Sequence, residues 1–173
     1  YINQNDLGEF NKLIQLRSKG NPVAYLTNKK FFWDSEFVVS SDTLIPRPDT
    51  ELIVDKVLEL TAHKKKINIL EIGIGTGCIL LSVLKERRDF YATGIDVSKN
   101  CLNVSKLNAI NLNVMSNLKL YKSNVDKFNL GKYDLIVSNP PYIKRFNLKY
   151  LEIDVAKFEP KLALDGGLDG LSA

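Results

Sequence analysis

The run "YDLIVSNPPYI", residues 133–143, ends a strand-like segment on Asn139 and two prolines. Proline cannot donate a ladder hydrogen bond and fixes its own φ, so the strand must stop there in a rigid loop. Such a loop sets two acceptors side by side, the Asn139 side-chain oxygen and the Pro140 main-chain carbonyl, the second on a residue with no competing N–H. Each can take one proton of a planar NH2 group. The nitrogen of an amide or an exocyclic amine is a poor nucleophile because its lone pair is delocalised. Holding both protons orients that nitrogen and stabilises the charge that develops on it. Pro141 stiffens the loop, and the Tyr142 ring can stack on the planar group. Asn-Pro alone is an ordinary turn dipeptide. The chemical reading needs an electrophile held opposite the loop.

A place for one lies in "EIGIGTGC", residues 71–78. Gly73, Gly75 and Gly77 follow a short apolar run at the carboxyl end of a strand, where open α/β sheets bind ligands. Glycines there reach positive φ and let a ligand approach bare backbone. A dinucleotide fingerprint needs a third small residue three positions after Gly75, but that position is Cys78. Acidic Glu71 is a poor neighbour for phosphates and a good one for a cationic amino acid. The turn Glu71, Gly73, Ile74, Gly75, Thr76 and Gly77 therefore points to S-adenosylmethionine (SAM), which carries an ammonium, a sulfonium and no phosphate. The plain alternative is a tight strand-to-helix turn without a ligand.

Asp96 ends the next strand-like run, "YATGIDV", where a carboxylate can accept both ribose hydroxyls. It could also merely cap a helix, although Ser98 is already there for that purpose. At the end of a third run, Asn124 can meet an adenine edge and Val125 its face, yet Asn is also a common turn residue.

The frame that positions these loops follows from periodicity. Residues 9–19 carry Phe10, Leu13, Ile14 and Leu16 at near-helical spacing, with Gly20 as a stop. Apolar runs at 31–33 and 37–39 flank Asp34-Ser35 and predict a hairpin. "PRP" at 46–48 halts any strand, and Asp49 or Thr50 can cap a helix reaching about Lys65. From residue 67 strands (67–73, 91–97, 117–123, 133–139) alternate with helices (77–88, and 98–112 capped by Ser98). That pattern predicts a parallel sheet covered on both faces. After Pro140 one short strand is expected at 162–164 and a helix start after Asp169. With four strands and no initial Met, the chain is expected to be a piece of a longer protein.

Composition excludes several classes. Of 173 residues 45% are hydrophobic and 25% charged, which suits one globular domain with a real core. No apolar run approaches the roughly 20 residues that span a bilayer, and the first ten residues predict no export signal. Cys78 and Cys101 lack metal-site spacing and His63 is the only histidine, so neither a zinc site nor histidine acid-base chemistry is expected. A reducing cytoplasm is the expected compartment. The net charge of +4 rests on scattered lysines, 19 against five arginines, and predicts no nucleic-acid footprint.

"ILEIGIGTGCI", "GIDVS" and "VSNPPYI", with "RSKGNPVAYLTNKKFFWDSEFVVSSDTLIPRPDTE" upstream and "FEPKLALDGGLDGL" downstream, resemble the bacterial-type peptide chain release factor glutamine methyltransferases over residues 10–173. The resemblance implies a Rossmann-like SAM-dependent methyltransferase domain at 49–173, incomplete at its end. A linker hairpin at 29–48 and the end of a helical substrate-recognition domain at 1–28 precede it. It implies methylation of the glutamine side-chain amide in the Gly-Gly-Gln loop of release factors by a monomer. SAM would contact Gly73–Gly77, Asp96, Asn124, Val125 and Asn139, and the substrate Asn139, Pro140, Pro141 and Tyr142. Departures are Asn28, where the family often has glycine, and Asn124-Val125, where it has an acidic-aromatic pair. The rivals are methylation of an exocyclic amino group on a nucleic-acid base, which needs a flipped-base pocket, and a non-catalytic SAM-binding module.

Overall fold

Parallel strands joined by crossovers need cover on both faces of their sheet, and the computed structural model, which describes residues 3–172, shows how far they get it. The expected segment ends at residues 1–2 and 173 lie outside the described residues. Strands β3 (Asn68–Ile72), β4 (Tyr91–Asp96), β5 (Leu118–Lys122) and β6 (Leu135–Ser138) form a parallel sheet of order β5-β4-β3-β6. The chain steps outward from β3 to β4 to β5, then returns across the sheet to β6. Parallel crossovers are right-handed, so this reversal sends the last connection over the opposite face. The carboxyl ends of β3 and β6 flank the point of reversal.

Before the sheet come α1 (Gln4–Ser18), α2 (Val23–Thr27), the hairpin β1 (Lys29–Phe32) and β2 (Ser35–Val38), and α3 (Glu51–Leu60). Helices α4 (Cys78–Glu86) and α5 (Lys99–Asn111) make the first two crossovers. One face of the sheet, with Ile69, Ala92, Leu118 and Val137, shares a core with Val54 and Val57 of α3, Leu80, Leu81 and Leu84 of α4 and Ala109 of α5. Phe32 and Phe37 of the hairpin pack edge to face and join this core. Each such fully buried side chain contributes roughly 1.5–3 kcal/mol. The hairpin is thus built into the same core as the sheet, whereas α1 buries no residue.

The other face departs from expectation. Among the described residues its crossover is the stretch 123–134, which holds a single 3-10 turn and packs Phe128 between Tyr121 and Tyr133. That is too short to cover four strands, and Ile136 on β6 stays 58% exposed. Cover on both faces is therefore only partial.

Local signals explain most boundaries. Gly20, at φ 93, ends α1, and Asn28 ends α2 in the left-handed region, as a short polar side chain can. Ser98 caps α5 by accepting from the Cys101 amide. The hairpin turn falls at Trp33-Asp34, one residue before the expected Asp34-Ser35, with Trp33 at φ 56. Trp33 is held there because its amide donates to Glu51 and its indole to Glu86. Helix α3 stops at Leu60, short of Lys65, where Arg87 donates to the carbonyls of Thr61 and Lys64. No strand forms at 162–164. Pro160 leads into a 3-10 turn at Lys161–Ala163, leaving one bridge between Ile143 and Asp165. Among the described residues no helix follows Asp169. A 3-10 helix at Arg145–Tyr150 and α6 (Ile153–Phe158) occupy the stretch left unassigned.

Candidate functional site

The turn after β3 is built to stay open on one side. Gly73, Gly75 and Gly77 have φ of 72, 54 and 80, which side chains rarely adopt. A Cβ on Gly73 would meet nothing within 4 Å, and one on Gly75 only the Gly73 carbonyl at 4.0 Å. The two glycines face space. Gly77 instead faces inward, where a Cβ would lie 2.8 Å from Leu81, so its smallness lets α4 pack. The Ile74 side chain is buried in the core and sits over Gly94, leaving only its backbone to the outer face.

The carboxylates around the turn do different work. Asp96, 8% exposed, accepts from the amides of Gly75 (3.0 Å) and Ser98 (2.9 Å), and so ties the turn to the end of β4. Glu71, 2% exposed, accepts from the Leu80 amide at 3.2 Å. It satisfies an orphan donor in the first turn of α4, whose cap, Gly77, has no side chain. Burial pushes the Glu71 carboxyl well above its ordinary range. Burial, then the charge of Glu71, pushes the neighbouring Cys78 thiol up to about 12. Glu71 therefore supports the turn from beneath.

From below, α5 holds the turn with residues that carried no obvious signal. The Ser105 hydroxyl donates to the Gly75 carbonyl at 2.7 Å, and Asn108 Nδ2 to the Thr76 carbonyl at 2.9 Å. Cys101, Ser105, Asn108 and Ala109 share the buried face of α5 but are small or polar, so they form no apolar stripe that periodicity could have marked. On the same rim, the Ser123 amide donates to the Asp96 carbonyl, which places Asn124 and Val125 one strand away from Asp96. Asn124 Oδ1 accepts from the Asp126 amide and Val125 is exposed.

The turn after β6 is held more lightly. Asn139 and Pro140 line a cleft of about 380 Å³ with Arg47, Thr50, Tyr142 and Val155. Asn139 Nδ2 stands 3.5 Å from Thr50 Oγ1, at the outer limit of a hydrogen bond. Tyr142 is 69% exposed. Beyond it, Ile143 exchanges bonds with Leu164 and Gly166. The cleft's far wall is clamped by the Arg47–Glu159 ion pair, with buried Glu159 also accepting from the Ile45 amide. The structure thus brings Gly73–Gly77, Asp96 and Asn139 to adjacent strand ends and gives Arg47, Thr50 and Glu159 a part that was not anticipated. Among the described residues no cluster of metal-ligating side chains occurs, and no helix is long and apolar enough to cross a membrane.

Three curated proteins illustrate what the chain is similar to. "Release factor glutamine methyltransferase" of Caulobacter vibrioides is 38% identical, the match covering 99% of this chain and 60% of that protein. The protein of the same name from Bradyrhizobium diazoefficiens is 39% identical over 92% of this chain and 54% of its own length. "Bifunctional methyltransferase" of Rickettsia typhi is 35% identical over 99% and 37%. The chain spans 60% or less of each of these relatives. The family described as "Methyltransferase small domain" matches residues 48–156. That interval runs from the last proline of "PRP" into α6 and holds both turns and all four parallel strands. The chain belongs to the methyltransferase small domain family.

Proposed function

We propose that the chain is the central portion of a cytoplasmic, monomeric enzyme that methylates the side-chain amide of the glutamine in the Gly-Gly-Gln loop of release factors, using SAM. In this reading residues 1–28 end a helical recognition domain, 29–48 link it, and 49–173 form most of the methyltransferase domain. The observation that carries it is the juxtaposition of an open glycine turn and an Asn-Pro-Pro-Tyr turn at the carboxyl ends of the adjacent strands β3 and β6, where Ile72 pairs with Ser138. The names of relatives at 38–39% identity support the choice of substrate.

The residues present fit an adenosyl group with a cationic amino acid. Gly73 and Gly75 offer backbone with no atom in the way, and Asp96 keeps lone pairs for a ribose diol after accepting its two amides. Asn124 and Val125 stand along the rim for the base. Glu71 acts through α4, whose first turn it caps. When bound, the cofactor supplies an electrophilic methyl on sulfonium sulfur. The chain's part is to hold the acceptor amide: Asn139 Oδ1 and the Pro140 carbonyl accept hydrogen bonds from its two N–H groups, Pro141 fixes their separation, Tyr142 covers the amide plane, and the one proton lost on methylation passes to solvent. Donation from Nδ2 toward Thr50 leaves Oδ1 to face the cleft. No side chain need ionise, so the rate is expected to be nearly flat from about pH 6.5 to about 8.5.

The test is transfer from labelled SAM to intact release factor, to the same factor with its loop glutamine changed to glutamate, and to DNA and RNA. Label in the first alone is expected. Label in nucleic acid would favour base methylation, and SAM binding without transfer to any of them would leave a binding module.

A further inference from the structure

Asn108 is 1% exposed on the buried face of the last turn of α5, where an apolar side chain is ordinarily found, and every polar atom of its amide is used. Oδ1 accepts from the Val38 amide at 2.8 Å, and Nδ2 donates to the Val38 carbonyl at 3.0 Å. The second proton of Nδ2 goes to the Thr76 carbonyl at 2.9 Å. The first two bonds treat the outer edge of β2 as a neighbouring strand would. The third reaches the glycine turn. One side chain therefore joins the linker hairpin to the loop that faces the methyl donor.

The linker that leaves β2 is stitched down along its way to the other half of the site. Asp42 accepts from Asn100 and Cys101 at the start of α5, Thr43 accepts from the Tyr25 hydroxyl, and Arg47 pairs with Glu159 at the cleft. The Asn108 bonds connect the glycine turn to Val38, and the linker runs on from Val38 to the segment that carries Thr50 to Asn139.

We propose that Asn108 is a positioning residue that couples occupation of the methyl-donor turn to the linker hairpin, so that donor binding rigidifies the segment forming the wall of the acceptor cleft. The inference rests on the reading of the turn 73–77 as the SAM site. A purely structural asparagine would lower stability when replaced and leave the two regions independent of each other. A coupling asparagine makes each region report on the other.

Amide hydrogen exchange of the unmutated chain, with and without saturating SAM, tests this without risk of misfolding. Exchange at Val38 is expected to slow on adding SAM while amides of β1 that do not touch Asn108 change little. Calorimetry on Asn108→Ser is expected to show SAM affinity roughly tenfold weaker, as for loss of a buried hydrogen bond, and Val38 exchange that no longer responds to SAM. Asn108→Asp keeps the acceptor for the Val38 amide and loses both donors, and should fall on the same side. SAM binding with unmoved Val38 exchange in the unmutated chain overturns the coupling alone. Failure of the unmutated chain to bind SAM overturns the cofactor reading and the coupling together.

Discussion

The glycine turn after β3 and the Asn-Pro-Pro-Tyr turn after β6 leave neighbouring strands on the same side of the sheet, but they are held in opposite ways. The first is fixed from beneath by Asp96, Ser105 and Asn108 through main-chain hydrogen bonds of 2.7–3.0 Å. The second has its key side chain, Asn139, in one contact at 3.5 Å, and the Tyr142 ring is open to solvent. In the proposed function the donor half is thus preformed, whereas the acceptor half leaves Asn139 and Pro140 on the cleft wall for an incoming NH2, and an ordered scheme, donor first and amide second, is expected.

If the division holds, damage to the acceptor turn should alter transfer without altering SAM affinity. Asn139→Ala removes one of two acceptors and is expected to slow single-turnover transfer by about a hundredfold or more. SAM binding measured by calorimetry should stay within a few-fold. A rate near that of the unmutated chain would give the activation to another group. Asp96→Ala strikes the other half and should weaken SAM by roughly ten- to a hundredfold, as expected for a charge-assisted contact. Here the rate at saturating SAM should largely recover, and unchanged affinity in a folded variant would remove Asp96 from the donor site.

Gly166→Ala presses on the acceptor turn from behind, because a Cβ there would lie 2.8 Å from the Pro141 carbonyl oxygen and 2.9 Å from Tyr142 backbone atoms. Backbone must shift, and transfer should fall about tenfold while SAM affinity is kept, as overpacking displaces the acceptor loop. Loss of SAM affinity instead would show the two turns to be one unit. The smallest effect concerns Glu71. Its folded carboxyl titrates above the ordinary value of 4.5 because it is buried. The folded state therefore binds more protons than the unfolded one, and stability is lost as pH rises from 4.5 through the folded value. Glu71→Gln keeps an acceptor for the Leu80 amide and removes that loss. Its advantage in urea midpoint over the unmutated chain should be larger at about pH 8 than at about pH 5. An advantage independent of pH would show that Glu71 is ionised throughout.

The parts of this architecture that were legible from sequence are those in which a local pattern and its structural purpose coincide. All four parallel strands lie inside the expected runs, because short β-rich segments set between helical runs and turn residues have few alternatives. Both turns were readable because Gly73, Gly75 and the prolines shape their own backbones and Asn139 stands directly beside the prolines. Asn108, Ser105 and Glu159 were not, since their partners lie 30–114 residues away and nothing local distinguishes a buried Asn from an exposed one. The expected strand at 162–164 failed for the converse reason. Its apolar residues fit a strand, but Pro160 and the turn that follows leave it no edge to pair with.

Ser138, the last residue of β6, donates its hydroxyl to the Ile72 carbonyl at the last residue of β3, 2.9 Å away. This bond latches the two strands at the point where their loops depart. Adjacent strands lie about 4.8 Å apart, so in the proposed function that spacing would act as a ruler between methyl donor and acceptor, set by the sheet and not by either loop. A slip of β6 by one residue would turn each of its side chains to the opposite face of the sheet. Register, more than any single contact in either loop, is what this latch preserves.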